Sequence, residues 1–217
     1  MTEIDIFNDR YEHVGTDTKK QAHHHGLWHR TFSALALNPS RRRVMLQKKA
    51  PGRYSFDRPD YADITVGGHY HAGEDVEDGV REVHEELGLP VSYDQLHPIG
   101  LRQTAVTLAP DYIEREFQHW HLLPVDVGLE DIPLADVEVS GLVDLDVDDA
   151  VALAAGDADT VPARFASRVE DGGLRHSDGT LSRAELVPNY LALDQLYLRL
   201  FVAARRYCTG ERGHLFW

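Results

Sequence analysis

The chain has 217 residues, enough for one sizeable domain or one domain with an extension, and its 42% hydrophobic share argues for a packed core rather than disorder. A formal charge of −14, from 36 acidic against 22 basic residues, argues against a nucleic acid polymer or an anionic membrane as partner, but it leaves room for a small anionic substrate met by local cations. No apolar run approaches the length of a membrane span, no basic start followed by an apolar run marks a secretory signal, and the single cysteine, Cys208, leaves no internal disulfide and fits a cytoplasmic protein.

In chain order, EIDIFNDRYEHVG alternates around Asn8-Asp9 and predicts a small hairpin within 1–15. The histidine triplet at 23–25 falls in a polar stretch and reads as loop without chemistry, ahead of the alternative of a metal-binding tuft. TFSALAL (31–37) and VMLQKK (43–48), joined by NPSRRR, predict a second hairpin with Arg41, Arg42 and Arg43 as solvated edge protection. ADITVGG (62–68) reads as a short strand ending in paired glycines. Residues 75–87 read as helix, closed by Gly88 just past its C-terminus. Strands follow at 99–108, 113–125 and 137–146, the first two separated by a turn at Pro110-Asp111. His119 and His121 on the second of these read as sheet packing.

A short helix at 146–156 carries acids at its start, where the helix dipole favours them. Beyond it, RVEDGGLRHSDGTL holds two Asp-Gly turn signals and predicts a hairpin or loop. Ser182 and Glu185 form a capping-box pattern ahead of a long apolar helix over 182–207, whose regular part starts either there or at Pro188. Strands, then a helix, then strands again predict an α/β layered domain over 1–159. Residues 160–217 are expected to be a C-terminal hairpin-and-helix extension, packed on that core or on a second copy in a homodimer.

The chemistry concentrates in GGHYHAGEDVEDGVREVHEELGL (67–89). Glu82, Glu85 and Glu86 are spaced to share one helix face, which costs a few tenths of a kcal/mol per like-charged pair without a counter-ion. A hard divalent cation reverses that sign, since Mg²⁺ and Mn²⁺ prefer carboxylate oxygens and bridge to substrate phosphates. Gly67 and Gly68 let backbone approach a ligand, and Glu74 is placed to add a fourth carboxylate. The bland alternative is a solvated acidic face.

The segment resembles the Nudix box: Gly, five residues, Glu, seven residues, Arg-Glu-apolar, one residue, Glu-Glu, one residue, Gly-apolar. Gly68, Glu74, Arg81, Glu82, Val83, Glu85, Glu86, Gly88 and Leu89 carry the match, with six residues in place of seven between Glu74 and Arg81. The resemblance implies a Nudix α/β/α sandwich with mixed sheet and Mg²⁺-dependent (or Mn²⁺-dependent) hydrolysis of a small-molecule diphosphate. It also implies Glu85 and Glu86 as leading metal ligands, Glu82 as ligand or water activator, and Arg81 paired with an acid. Val83 and Leu87 would be buried, and Glu116 would be a strand acid aiding the metal site. Lys48, Lys49 and Arg53 lie nearest the expected substrate mouth, while Tyr54, Phe56 and Tyr61 either stack a base or pack the loop.

From about residue 3 to 155 the chain also resembles the isopentenyl-diphosphate isomerases within that superfamily, through GLWHRTFSALALN, QKKAPGRYSFDRPDYADITVGGH and YIEREFQHWHL. Where the isomerases carry a catalytic cysteine this chain has Gly67, so hydrolysis is placed ahead of isomerisation, and the complete triad of Glu82, Glu85 and Glu86 places it ahead of an idle diphosphate-binding module. His29 and His69, with Glu114 and Glu116, match isomerase-like metal positions; as hydrogen-bonding core residues the histidines have the preferred reading.

Overall fold

The computed structural model describes residues 2–50, 61–135, 137–169, 173–213 and 215. Arg53, Tyr54 and Phe56 therefore lie outside the described residues. The strands are β1 (Glu3–Phe7), β2 (His13–Thr18), β3 (Trp28–Asn38), β4 (Arg43–Lys49), β5 (Ala62–Ile64), β6 (Val66–His69), β7 (His97–Ala109), β8 (Tyr112–Pro124), β9 (Val139–Asp146), β10 (Thr160–Arg168) and β11 (Leu174–Ser182). The helices are α1 (Lys19–His25), α2 (Arg81–Leu87), α3 (Val147–Ala155), α4 (Pro188–Ala192) and α5 (Leu196–Cys208).

β3 is the hub. It runs parallel to β8 from His29–Glu116 to Leu37–Pro124, and antiparallel to β6 from Thr31–His69 to Ala34–Val66. It also meets β1 at one end and β4 at the other. β4 carries β5 on one side and β9 on the other, and β10 and β11 continue outward from β9. The sheet is thus mixed, with helices on both faces.

Strand alternation divides the core in two. Leu35, Leu37, Val44 and Leu46 face one cluster with Leu153 of α3 and Leu200 and Phe201 of α5. Phe32, Ala34, Ala36 and Met45 face the other, with Val83 and Leu87 of α2. Fully burying each of the valine, leucine, phenylalanine and methionine side chains among these contributes about 1.5–3 kcal/mol. The chain from residue 160 is built into the same layers, since β10 bonds to β9 and Val161, Leu181 and Tyr197 join the first cluster. Among the described residues no helix is long and apolar enough to cross a membrane.

Four local expectations are corrected. The helix over 75–87 is a 3₁₀ turn, Val76–Val80, followed by α2; Gly79 packs under Phe32 and Tyr70 so closely that a Cβ would come within 2.5 Å of the Phe32 ring. The strand over 62–68 breaks at Thr65, whose hydroxyl takes the amide of Ala36 (2.9 Å) and bonds the Met45 carbonyl in place of a regular ladder. The histidine triplet is not loop: it ends α1, which Thr18 caps at one end and Gly26 closes at φ +61°. The helix over 182–207 is three pieces. The Ser182–Glu185 capping box serves a single 3₁₀ turn, Pro188 starts α4, and Gln195 at φ +55° separates α4 from α5.

Candidate active site

A cleft of about 570 Å³ opens over β3, β6 and α2, with Glu82, Glu85, Glu86, Gly67, Gly68, Lys49, Lys19, His69 and Glu116 among its lining residues. Val83 and Leu87 anchor α2 in the core, so the opposite side of the same helix presents its carboxylates.

Arg81 organises the loop ahead of α2. It donates to Glu74 from Nε (3.0 Å) and Nη2 (3.2 Å), to the His69 carbonyl from Nη2 (3.1 Å), and to Glu85 from Nη1 (2.9 Å). Nη1 also lies 3.0 Å from Glu82. Glu74 is consumed by this clamp and by the His71 amide (2.7 Å). It is not a fourth cleft carboxylate, so the one-residue shortening leaves the Arg–Glu pair intact.

Glu86 is buried and accepts from Lys49 Nζ (2.7 Å), the Gly67 amide (3.1 Å) and Gln47 Nε2 (3.3 Å). Burial pushes its carboxyl up, against Lys49 and the Gly67 amide. Burial would lower Lys49, but Glu86 foremost, with Asp63 and Glu138, raises the ammonium. Glu82 is pushed up to about 7, by burial first and then by Glu86 and Glu85, with Arg81 opposing. Gly68 makes room for Glu82: a Cβ there would sit 2.0 Å from the carboxyl carbon. The paired glycines thus seat the two carboxylates. Glu85 stands half exposed at the rim.

β4 separates the two lysines that were expected at the mouth together. Lys49 shares the face of Met45 and Gln47 and meets Glu86, whereas Lys48 points to the opposite face, 3.2 Å from Glu185 and over the Phe165 ring. Lys48 is therefore corrected as a substrate contact. Lys19, on no motif, lines the cleft instead, in the field of Glu116 and Glu82.

A second cluster stands on the same cleft. His23 of α1, His29 of β3, His69 of β6 and Glu116 of β8 each bring one ligand atom within 4.8 Å of all the others. His29 Nδ1 donates to the Leu27 carbonyl (2.8 Å), and its buried Nε2 has no hydrogen-bond partner among the described residues and lies 3.6 Å from Glu116. His23 Nδ1 faces the Ile113 carbonyl (3.3 Å), and its Nε2 lies 3.0 Å from Nε2 of His69. Burial, then His29, lowers His23 to about 4; burial also lowers His69. Burial alone would raise Glu116, but His29 and the Gln118 amide (2.7 Å) hold it well below the usual carboxylate range. Imidazole nitrogens beside a carboxylate fit Zn²⁺, Mn²⁺ or Fe²⁺ better than Mg²⁺.

The structure thus brings the histidines together with Glu116 as a candidate metal cluster, on the same cleft that the α2 carboxylates line. Glu114 lines the cleft outside the four. His119 and His121 take the hydroxyls of Tyr11 (2.7 Å) and Tyr93 (3.1 Å) away from the cleft, as sheet packing.

Residues 27–166 match the family model described as NUDIX domain. An uncharacterized Nudix hydrolase of Clostridium acetobutylicum is 28% identical over 198 residues, covering 90% of this chain and 95% of that protein. An isopentenyl-diphosphate Delta-isomerase of Burkholderia multivorans is 33% identical over 110 residues, 50% of this chain and 59% of that protein. A crystal structure from Deinococcus radiodurans superposes with a TM-score of 0.52 at 23% identity, covering 71% of this chain and 89% of that one, which supports the fold. With its Arg81 clamp, its α2 carboxylates and a family match over most of its length, the chain belongs to the Nudix family and is a Nudix-type hydrolase of diphosphate bonds.

Proposed function

We propose that the protein is a divalent-metal-dependent hydrolase cleaving the diphosphate linkage of a nucleoside diphosphate derivative or a related organic diphosphate. The observation that carries this is the seating of Glu82 and Glu86 side by side in a cleft that also holds Lys49 and Lys19. Two buried carboxylates with raised pKa values are a site short of positive charge, which fits a cation. Glu85 and Glu86 would hold Mg²⁺ (or Mn²⁺), which when bound neutralises phosphate charge and acidifies water. Glu82, poised near pH 7, takes the proton from the attacking water. Water oxygen bonds to one phosphorus, the bridging P–O bond breaks, and the leaving phosphate departs with that electron pair. Lys49 and Lys19 face the charge that builds on the phosphates.

The histidine cluster favours one second reading, an isomerase-like enzyme. It holds metal-ligand chemistry, but Gly67 offers no proton donor at the place of the isomerase cysteine.

³¹P NMR with Mg²⁺, then Mn²⁺, and a panel of ADP-ribose, NADH, nucleotide sugars, coenzyme A, nucleoside triphosphates and isopentenyl diphosphate separates these. Loss of a diphosphate signal with new phosphomonoester, abolished by Glu86→Gln, supports hydrolysis. Conversion of isopentenyl diphosphate to its isomer without phosphate release establishes the second reading. No change in any component refutes both for this panel and leaves a binding module.

A further inference from the structure

One wall of the cleft comes from the C-terminal segment: Asn189 and Tyr190 of α4, and Leu193 just beyond it. This wall is fixed. Asp194 accepts from Arg102 Nε (2.7 Å) and Nη2 (3.1 Å), and the Arg102 Nη1 bonds Gln118 (2.7 Å), the residue whose amide reaches Glu116. On the other side of α4, the Tyr197 hydroxyl donates to the Ala62 carbonyl (2.6 Å) and accepts from the Val187 amide (3.2 Å). Two anchors on different strands therefore hold a helix of five residues in one place.

Tyr190 is the part of this wall with unspent bonding capacity. Its ring packs against Tyr197 (5.6 Å between centroids) and beside the Arg102 guanidinium (5.9 Å). Its hydroxyl, in the field of Asp63, Glu114 and Glu116, has no hydrogen-bond partner among the described residues. Burial, and those carboxylates after it, raise the phenol well above its usual range, so it keeps its proton. A donor in such a place is satisfied by water while the cleft is open. An occupant that expels the water without replacing its bond leaves the hydroxyl unpaired, and hydroxyl-recognising sites reject such ligands strongly.

We propose that Tyr190 is a specificity-determining residue. Its hydroxyl hydrogen-bonds an oxygen or nitrogen of the substrate's organic half, so the cleft selects diphosphates with a polar substituent over hydrocarbon diphosphates. The assignment rests on the hydrolase reading above.

Calorimetric binding with Mg²⁺ tests it, using α,β-methylene-ADP, which keeps a nucleoside, and methylenediphosphonate, which has no organic half. Tyr190→Phe retains the ring contacts and loses only the oxygen, and a thermal melt establishes its folding. The expected result is about fivefold weaker binding of α,β-methylene-ADP, the scale of one neutral hydrogen bond, with methylenediphosphonate unchanged. Equal loss for both probes, or loss for neither, overturns the assignment and leaves the hydrolase reading standing. So does wild-type protein that binds methylenediphosphonate and gains nothing from the nucleoside. Wild-type protein that binds neither probe refutes the diphosphate reading itself, and the Tyr190 assignment with it.

Discussion

In the metal-free protein the Glu82 carboxyl rises from an ordinary 4.5 to about 7, because burial comes first among its causes and Glu86 and Glu85 add to it. The difference, 7 − 4.5 = 2.5 pH units, is worth about 3 kcal/mol at about 1.36 kcal/mol per unit. Its side chain is only 12% exposed, so solvent screening takes little of this away. Between pH 4.5 and 7 the folded chain keeps a proton that the unfolded chain has released, and unfolding free energy therefore falls as pH rises. The contribution is fully present below 4.5 and is lost by about 7. His23 slopes the opposite way, since a buried imidazole lowered to about 4 costs stability as pH falls from 6.5. A wild-type curve alone mixes the two; the difference between wild type and Glu82→Gln isolates the carboxyl. Urea unfolding in EDTA from pH 5 to 8 should show the variant gaining about 2–3 kcal/mol on wild type across that window. Mg²⁺ added at pH 8 should narrow the gap, because a cation held by Glu85 and Glu86 favours the ionised form of the neighbouring Glu82. Parallel curves for the two proteins would refute the assignment of Glu82 as a buried, proton-holding group.

Gly68→Ala should fold normally yet lose on the order of a hundredfold in kcat, because its Cβ displaces the flexible Glu82 carboxyl and not backbone. Gly67→Ala, whose Cβ meets nothing closer than the Phe32 carbonyl at 3.9 Å, should stay within about threefold of wild type; steady-state assays that rank the two the other way contradict the site as drawn. Lys49→Met should lower kcat/KM by about a hundredfold while Lys48→Met leaves it nearly unchanged, and similar losses in both would mean that the strand parity carries no functional meaning. After EDTA treatment and reloading with Zn²⁺, elemental analysis should find about one ion per chain in wild type and in Glu85→Gln. His29→Ala should retain less than about a tenth of that, and an unchanged metal content there would remove the cluster as a metal site.

Legibility in the sequence followed the range of the interactions. Period-two alternation located most strands, but it was not carried through VMLQKK, where it puts Lys48 and Lys49 on opposite faces. The α2 carboxylates were readable because three and four residues make one helix turn, a local fact. His23 was missed because KKQAHHH has no apolar stripe of its own; only Ala22 and His23 are buried. Its signal was in the flanks, Thr18 as cap and Gly26 as left-handed stop, a pairing that marks a short helix even without periodicity. Tyr190 and Arg102 had no such signal, since the Arg102–Asp194 clamp joins residues 92 apart. The break at Gln195 was equally hidden, because a non-glycine residue at positive φ is held by packing and not by its own preference.

Glu116 shows why the face of a strand does not name a site. Its spacing from Glu114 placed both on one side of β8, and that side does line the cleft. The choice between the α2 carboxylates and the histidines was made by register: β8 runs parallel to β3 with Glu116 opposite His29, and β6 runs antiparallel to β3 with His69 opposite Thr31. Three consecutive residues of β6 then serve both centres. The Gly67 amide holds Glu86, Gly68 clears space for Glu82, and His69 joins the cluster. A shift of β6 by one residue would reverse its faces and dismantle both at once. The two centres are therefore one structural unit, and a variant that damages only one of them has to act through a side chain, as Glu82→Gln and His29→Ala do, and not through the strand.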